Sequence, residues 1–134
     1  MGMTDPIREV VAVNGVAPPQ AHYSHGIIVE SGRTLYLAGQ VGIDPEGNVA
    51  VGDAGAQAQT ILENIQAIVE AAGGTMANVA KTSVFLTSLD YRDVVGEVRR
   101  SFFPDPPPAN TLLVVESLAS PDYLVEIEAI VPLP

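Results

Sequence analysis

The clearest hydrophobic pattern lies at the end of the chain, where Val125, Ile127, Ala129 and Val131 alternate with Leu124, Glu126, Glu128 and Ile130. Side chains of a strand point alternately to its two faces, so one face here is wholly apolar and the other carries two acids. Upstream, residues 7–14 are β-branched and stop at the turn pair Asn14-Gly15. Pro18-Pro19 forms a stiff connection, and residues 23–30 read as a strand with Tyr23, His25, Ile27 and Val29 on one side. Ser31-Gly32 followed by the run 34–39 predicts a hairpin, and residues 44–48 a tight turn. Ala58, Ile61, Leu62, Ile65, Ile68, Val69 and Ala72 recur at three- and four-residue steps. This predicts a helix over 54–72, capped by Asp53 and stopped by Gly73-Gly74.

A strand over 80–86 comes next, followed by a helix over about 91–103 capped by Asp90. That helix presents Tyr91, Val94, Val95, Val98 and Phe102 on one face, and Pro104 ends it. The proline-rich segment 104–108 is a rigid connector that fixes where Asn110 emerges. A strand over 110–116, a turn over 119–122 and the last strand, ending at Pro132, complete the order. The expected architecture is an α+β sandwich: one mixed, mostly antiparallel six-stranded sheet with both helices packed on one face.

Several strands are apolar on both sides. Leu112 and Val114 oppose Leu113 and Val115, and Leu35 and Leu37 oppose Tyr36 and Ala38. Two helices cover only one sheet face, so the second needs another cover, and a further copy of the chain is the economical one. The pattern therefore predicts a homo-oligomer.

Composition narrows the function classes. The 134 residues are expected to form a single domain over 1–134, and 47% hydrophobic against 16% charged residues fits a compact globular protein with much covered surface. No run is long and apolar enough for a membrane span, and the N-terminus lacks the pattern of a signal peptide. The absence of cysteine rules out disulfide and thiolate chemistry and fits a cytoplasmic location. A net charge of −10, with basic residues scattered, argues against a nucleic-acid partner.

No phosphate loop, zinc-protease motif or nucleophile elbow occurs, so no cofactor or metal is expected. His22 and His25 are three apart, which places them on opposite faces of a strand, and they read as structural or surface histidines. Glu126 and Glu128 read from the strand alone as a solvated face. On a covered face, an unpaired carboxylate would instead seek donors or shift its pKa upward and could then move protons.

Four stretches together resemble the RidA/YjgF family of reactive-intermediate deaminases, also labelled endoribonuclease L-PSP. They are Leu37 to Val41, Asn64 to Gly73, Val79 to Leu86 and Val125 to Ile130, and the resemblance spans nearly the whole chain. It implies a chorismate-mutase-like α+β fold and a homotrimer with small-molecule clefts between subunits. It also implies hydrolysis of enamines or imines to 2-oxo acids and ammonia. Position by position, the family's tyrosine falls on Tyr23, its catalytic glutamate on Glu126 and its backbone-contributing glycine on Gly39. Its carboxylate-clamping arginine falls on Asn110, and its serine before the glycine on Ala38.

Asn110 offers donors without charge, and a charge-assisted contact is roughly twice as strong as a neutral one. The expected ligand is therefore not one of the family's amino-acid-derived imino acids but a neutral or differently held small enamine, imine or related carbonyl compound. His25, on the side of Tyr23, is a candidate donor into the cleft. The alternative is a non-catalytic trimeric binding protein of the same fold. Ribonuclease activity is disfavoured by the charge.

Overall fold

The structure, a computed structural model, describes residues 7–30 and 32–134. The strands are β1 (Ile7–Val10), β2 (Ile27–Glu30), β3 (Arg33–Val41), β4 (Lys81–Leu86), β5 (Ala109–Val114) and β6 (Val125–Leu133). Two α-helices, α1 (Ala54–Ala71) and α2 (Arg92–Phe102), are accompanied by single 3-10 turns at Met76–Asn78 and Leu89–Tyr91. This is the expected α+β arrangement of six strands and two helices, mostly antiparallel, with one parallel pair, β4 beside β5.

Hydrogen bonding divides the strands into a ladder of four, in the order β3-β6-β4-β5, and a pair, β1-β2. The expected hairpin between the strands flanking Ser31-Gly32 does not form; Ser31 itself lies outside the described residues. β2 pairs with β1, while β3 pairs along its length with β6, from Arg33↔Leu133 to Val41↔Glu126. The long partner wins because β6 offers β3 a nine-residue apolar neighbour, whereas β2 is four residues long. The strand expected over 23–30 is shortened for a related reason. Ser24 leaves it to bridge Ala109 on β5.

The apolar face of β6 meets the helices, as its alternation requires. Val125, Ile127, Ala129 and Val131 are buried with Val84 and Leu86 of β4 and with Ile61, Leu62, Ile65 and Val69 of α1. Asp53 caps α1, accepting from Ala56 N at 2.9 Å, and Gly73 leaves the helix with φ +95°. Asp90 does not cap the second helix. Ser88 Oγ accepts from Asp90 N at 3.1 Å and starts a 3-10 turn that leads into α2.

Among the described residues, no helix covers the opposite face of the four-stranded ladder. One row across it runs Val41–Glu126–Phe85–Leu113, and another pairs Tyr36 with Ile130 and Lys81. Tyr36 is 76% exposed, Leu113 50% and Ile130 39%, so this face combines apolar side chains with Glu126 and Glu128.

Candidate functional site

The residues singled out from the sequence fall into two groups on opposite sides of the sheet. Glu126 and Gly39 meet on the open face. Between Leu37↔Ala129 and Gln40↔Ile127 the register of β3 against β6 slips, so Ala38 and Gly39 together oppose Glu128. This bulge turns Gly39 toward the open face, where a Cβ would collide with the Glu126 carboxylate. What a side chain here would meet is the far end of a flexible acid, and no unusual backbone angle is involved. Glu126 is half-buried between Val41 and Phe85, and no hydrogen-bond donor to it occurs among the described residues. Its neighbour Glu128 is exposed beside Ser83.

Tyr23 and Asn110 meet at the other side, where β5 borders α2. Ser24, immediately after the tyrosine, is buried and donates from its backbone N to Pro108 O at 3.1 Å and from Oγ to Pro107 O at 2.6 Å. Those bonds pin the Tyr23 segment to the rigid start of β5. Tyr23 Oη accepts from Gln20 N at 3.2 Å, and its ring together with Asn110 lines a cavity of about 460 Å³. Asn110 lies opposite Thr82 in the parallel ladder, on the helix side, and accepts from Thr82 Oγ1 at 2.7 Å.

His25 does not join that cavity. Its Nε2 donates to Ala17 O at 2.6 Å, and its ring stands edge-on to Tyr23 with centroids 5.8 Å apart. It holds the 17–25 loop around the tyrosine. His22 Nε2 donates to Phe103 O at 3.0 Å, a structural contact of the kind expected for it.

One residue of this region was not singled out from the sequence. Arg99, on α2, is 5% exposed and has Phe103 stacked at 5.0 Å from its guanidinium carbon. Its Nη1 donates to His22 O at 2.6 Å and its Nη2 to Thr82 Oγ1 at 2.8 Å. Desolvation by burial lowers its pKa to about 10. A sequence signal existed: Val95, Arg99 and Phe103 are spaced by four, which puts the arginine on the buried helical stripe.

With this geometry in place, similarity to known proteins carries weight. The family model described as endoribonuclease L-PSP matches residues 14–133. The chain belongs to the RidA/YjgF, or endoribonuclease L-PSP, family. A RutC family protein of Pyrococcus horikoshii is 37% identical over 125 residues, covering 92% of this chain and 97% of the relative. A crystal structure of a Rid family protein of Yersinia pestis superposes with a TM-score of 0.86 at 30% identity, covering 95% of this chain and 99% of that one. RidA from an Antarctic Psychrobacter is 36% identical with a TM-score of 0.71, covering 94% and 100%. No helix of the described residues is long and apolar enough to cross a membrane.

Proposed function

We propose that this RidA/YjgF protein is a cytoplasmic homotrimer that hydrolyses a small reactive enamine or imine in clefts shared between subunits. The observation that carries this reading is the half-buried Glu126 carboxylate, set against Gly39 and without a protein donor. A buried acid left without donors costs folding energy unless a ligand or water uses it. The open face bearing Glu126 is apolar enough to be an interface, and Tyr23 and Asn110 lie on the other side of the sheet. A trimer supplies the missing juxtaposition by bringing the Tyr23–Asn110 edge of one subunit to the Glu126–Gly39 face of the next.

The chemistry in such a cleft is balanced as follows. An enamine tautomerises to its imine; Glu126 accepts a proton from water as the oxygen bonds to the imine carbon and returns it to the nitrogen, giving a carbinolamine. The new hydroxyl then passes its proton by way of Glu126 to the amine as the carbon–nitrogen bond breaks, which releases ammonia and leaves a carbonyl compound. Tyr23 hydrogen-bonds the substrate, the Gly39 backbone closes on it without a side chain in the way, and Asn110 orients it. His25 supports Tyr23.

The test is hydrolysis of carboxylated and uncarboxylated imines by wild type, Glu126→Gln and Asn110→Arg. Wild-type turnover abolished by Glu126→Gln supports the enzyme. Activity that arises only in Asn110→Arg supports a trimeric small-molecule-binding protein instead, the reading favoured by asparagine at the clamp position.

A further inference from the structure

β3 forms one end of the four-stranded ladder, bonded to β6 on one side, and among the described residues no strand lies along its other side. From Thr34 to Ala38 this edge carries neither proline nor charge. Native proteins protect such an edge with charges, proline or a covering element, because its outward backbone groups otherwise pair with another chain. β2 has the complementary deficit. It is bonded to β1 on one side, and the two make a ladder separate from the main sheet. A lone pair of short strands is marginal in water, and a third strand stabilises it. Ile28 and Val29 of β2 are meanwhile 51% and 37% exposed.

Within one chain the two edges are kept apart. Arg8 of β1 donates from Nε to Val79 O and from Nη2 to Pro106 O, both at 3.0 Å. Ser24, shortly before β2, bridges Ala109 and bonds to Pro107 and Pro108. These contacts seat the β1–β2 arm at the entries of β4 and β5, so the edge of β3 is left for a strand from elsewhere.

We propose that the β3 edge of each subunit is completed by β2 of a second copy of this chain, so that the N-terminal arm is exchanged between subunits. Exchange of this kind keeps the contacts of a closed hairpin and changes only which chain supplies the strand. The register is therefore the one that a two-residue turn at Ser31-Gly32 sets within a chain, with Val29 opposite Thr34 and Ile28 opposite Leu35. It also matches the faces. Leu35 pairs with Val131 on the helix side, where Ile28 joins it, and Val29 joins Thr34 on the open side. Continued in the same register, Ser24 comes opposite Gly39 of the partner subunit. Tyr23 of one chain then arrives beside Gly39 and Glu126 of the partner subunit, residues that lie on the other side of the sheet within its own chain. The arm thus supplies the tyrosine that one chain alone does not bring to its glutamate. This deepens the shared-cleft reading and rests on it for the number of subunits, while the strand pairing stands on the two edges.

The chain has no cysteine, so a single pair of thiols can report the pairing. The experiment is oxidation of the full-length double variant Val29→Cys/Thr34→Cys, read by non-reducing electrophoresis, beside light scattering of wild type. Both positions are exposed, and in the proposed register they face each other at the close spacing that accepts a disulfide. Exchange around a closed ring is expected to shift the single-chain band to one of three linked chains, while each single variant stays a single chain. A disulfide closed within one chain, or none at all, overturns the exchange; with wild type still trimeric, the shared-cleft reading stands. A monomeric wild type removes both. Links between chains in an assembly of another size uphold the exchange and remove the trimer. Should the double variant fail to fold, hydrogen exchange of wild type decides. The outward amides of residues 34–38 are expected to exchange about tenfold or more slowly in the assembly than in dissociated protein, and equal rates overturn the pairing.

Discussion

The Glu126 carboxylate lies against the backbone of Gly39, in the space that a Cβ at that position would occupy. The two residues come from neighbouring strands, and the bulge at Ala38-Gly39 is what turns the glycine toward the acid. The atoms in conflict are the far end of a flexible, half-exposed side chain, which can swing aside. Gly39→Ala is therefore expected to cost less than about 1 kcal/mol of stability in urea unfolding. It displaces the carboxylate, however, and any imine hydrolysis is expected to fall by about tenfold or more. Loss of stability with undiminished turnover would separate the glycine from the chemistry.

Gln57 offers a contrasting case, in which a polar side chain serves the fold alone. It is fully buried on α1, donates from Nε2 to Ala50 O at 3.0 Å and Asp122 O at 2.9 Å, and accepts from Leu124 N at 2.9 Å. Gly42 packs directly against its Cα and Cβ. One side chain thus ties the loop before α1 to the start of β6. Gln57→Leu leaves three backbone groups without partners and is expected to destabilise by about 2–4 kcal/mol, measured by urea unfolding.

What was legible in the sequence was local periodicity. The alternation in β6 and the stripe of α1 placed the core correctly, because each is decided by burial along one element. The β2–β3 hairpin was not legible, since Ser31-Gly32 favours a turn locally while the pairing of β3 with β6 depends on residues about a hundred positions apart. Arg99 was missed because an arginine on a helix is ordinarily read as solvated. Its burial is created by the His22–Ser24 segment, held over it by the bonds of Ser24 to Pro107 and Pro108. Tyr23 and Asn110 were named from family resemblance, and their meeting in one cavity comes from that same tether.

The open sheet face gives a direct test of assembly. Tyr36, Ile130 and Leu113 leave apolar surface exposed around Glu126 and Glu128, on the side away from both helices. A charge at the centre of a face buried between subunits loses hydration without gaining a partner. Ile130→Asp is expected to shift the mass measured by light scattering from three subunits toward the 14.0 kDa of one chain. The same substitution on a permanently solvated face is expected to cost less than about 0.5 kcal/mol. A wild-type mass of 14.0 kDa at dilute concentration removes the trimer outright.

The pH dependence of stability follows from the burial of Arg99. Desolvation lowers its pKa to about 10, below the ordinary guanidinium value, so the cation is retained at neutral pH and given up at alkaline pH. Folding therefore disfavours the proton: below about pH 10 both folded and unfolded chains carry it, and the folded state bears the desolvation cost in full. Above that value the folded chain releases the proton first, so this cost is relieved as pH rises. The stability of wild type relative to Arg99→Gln is accordingly expected to stay flat from about pH 7 to 9 and to shift in favour of wild type above about pH 10. Urea unfolding of both proteins across that range checks this. A change already between about pH 6 and 8 would remove Arg99 as the titrating group.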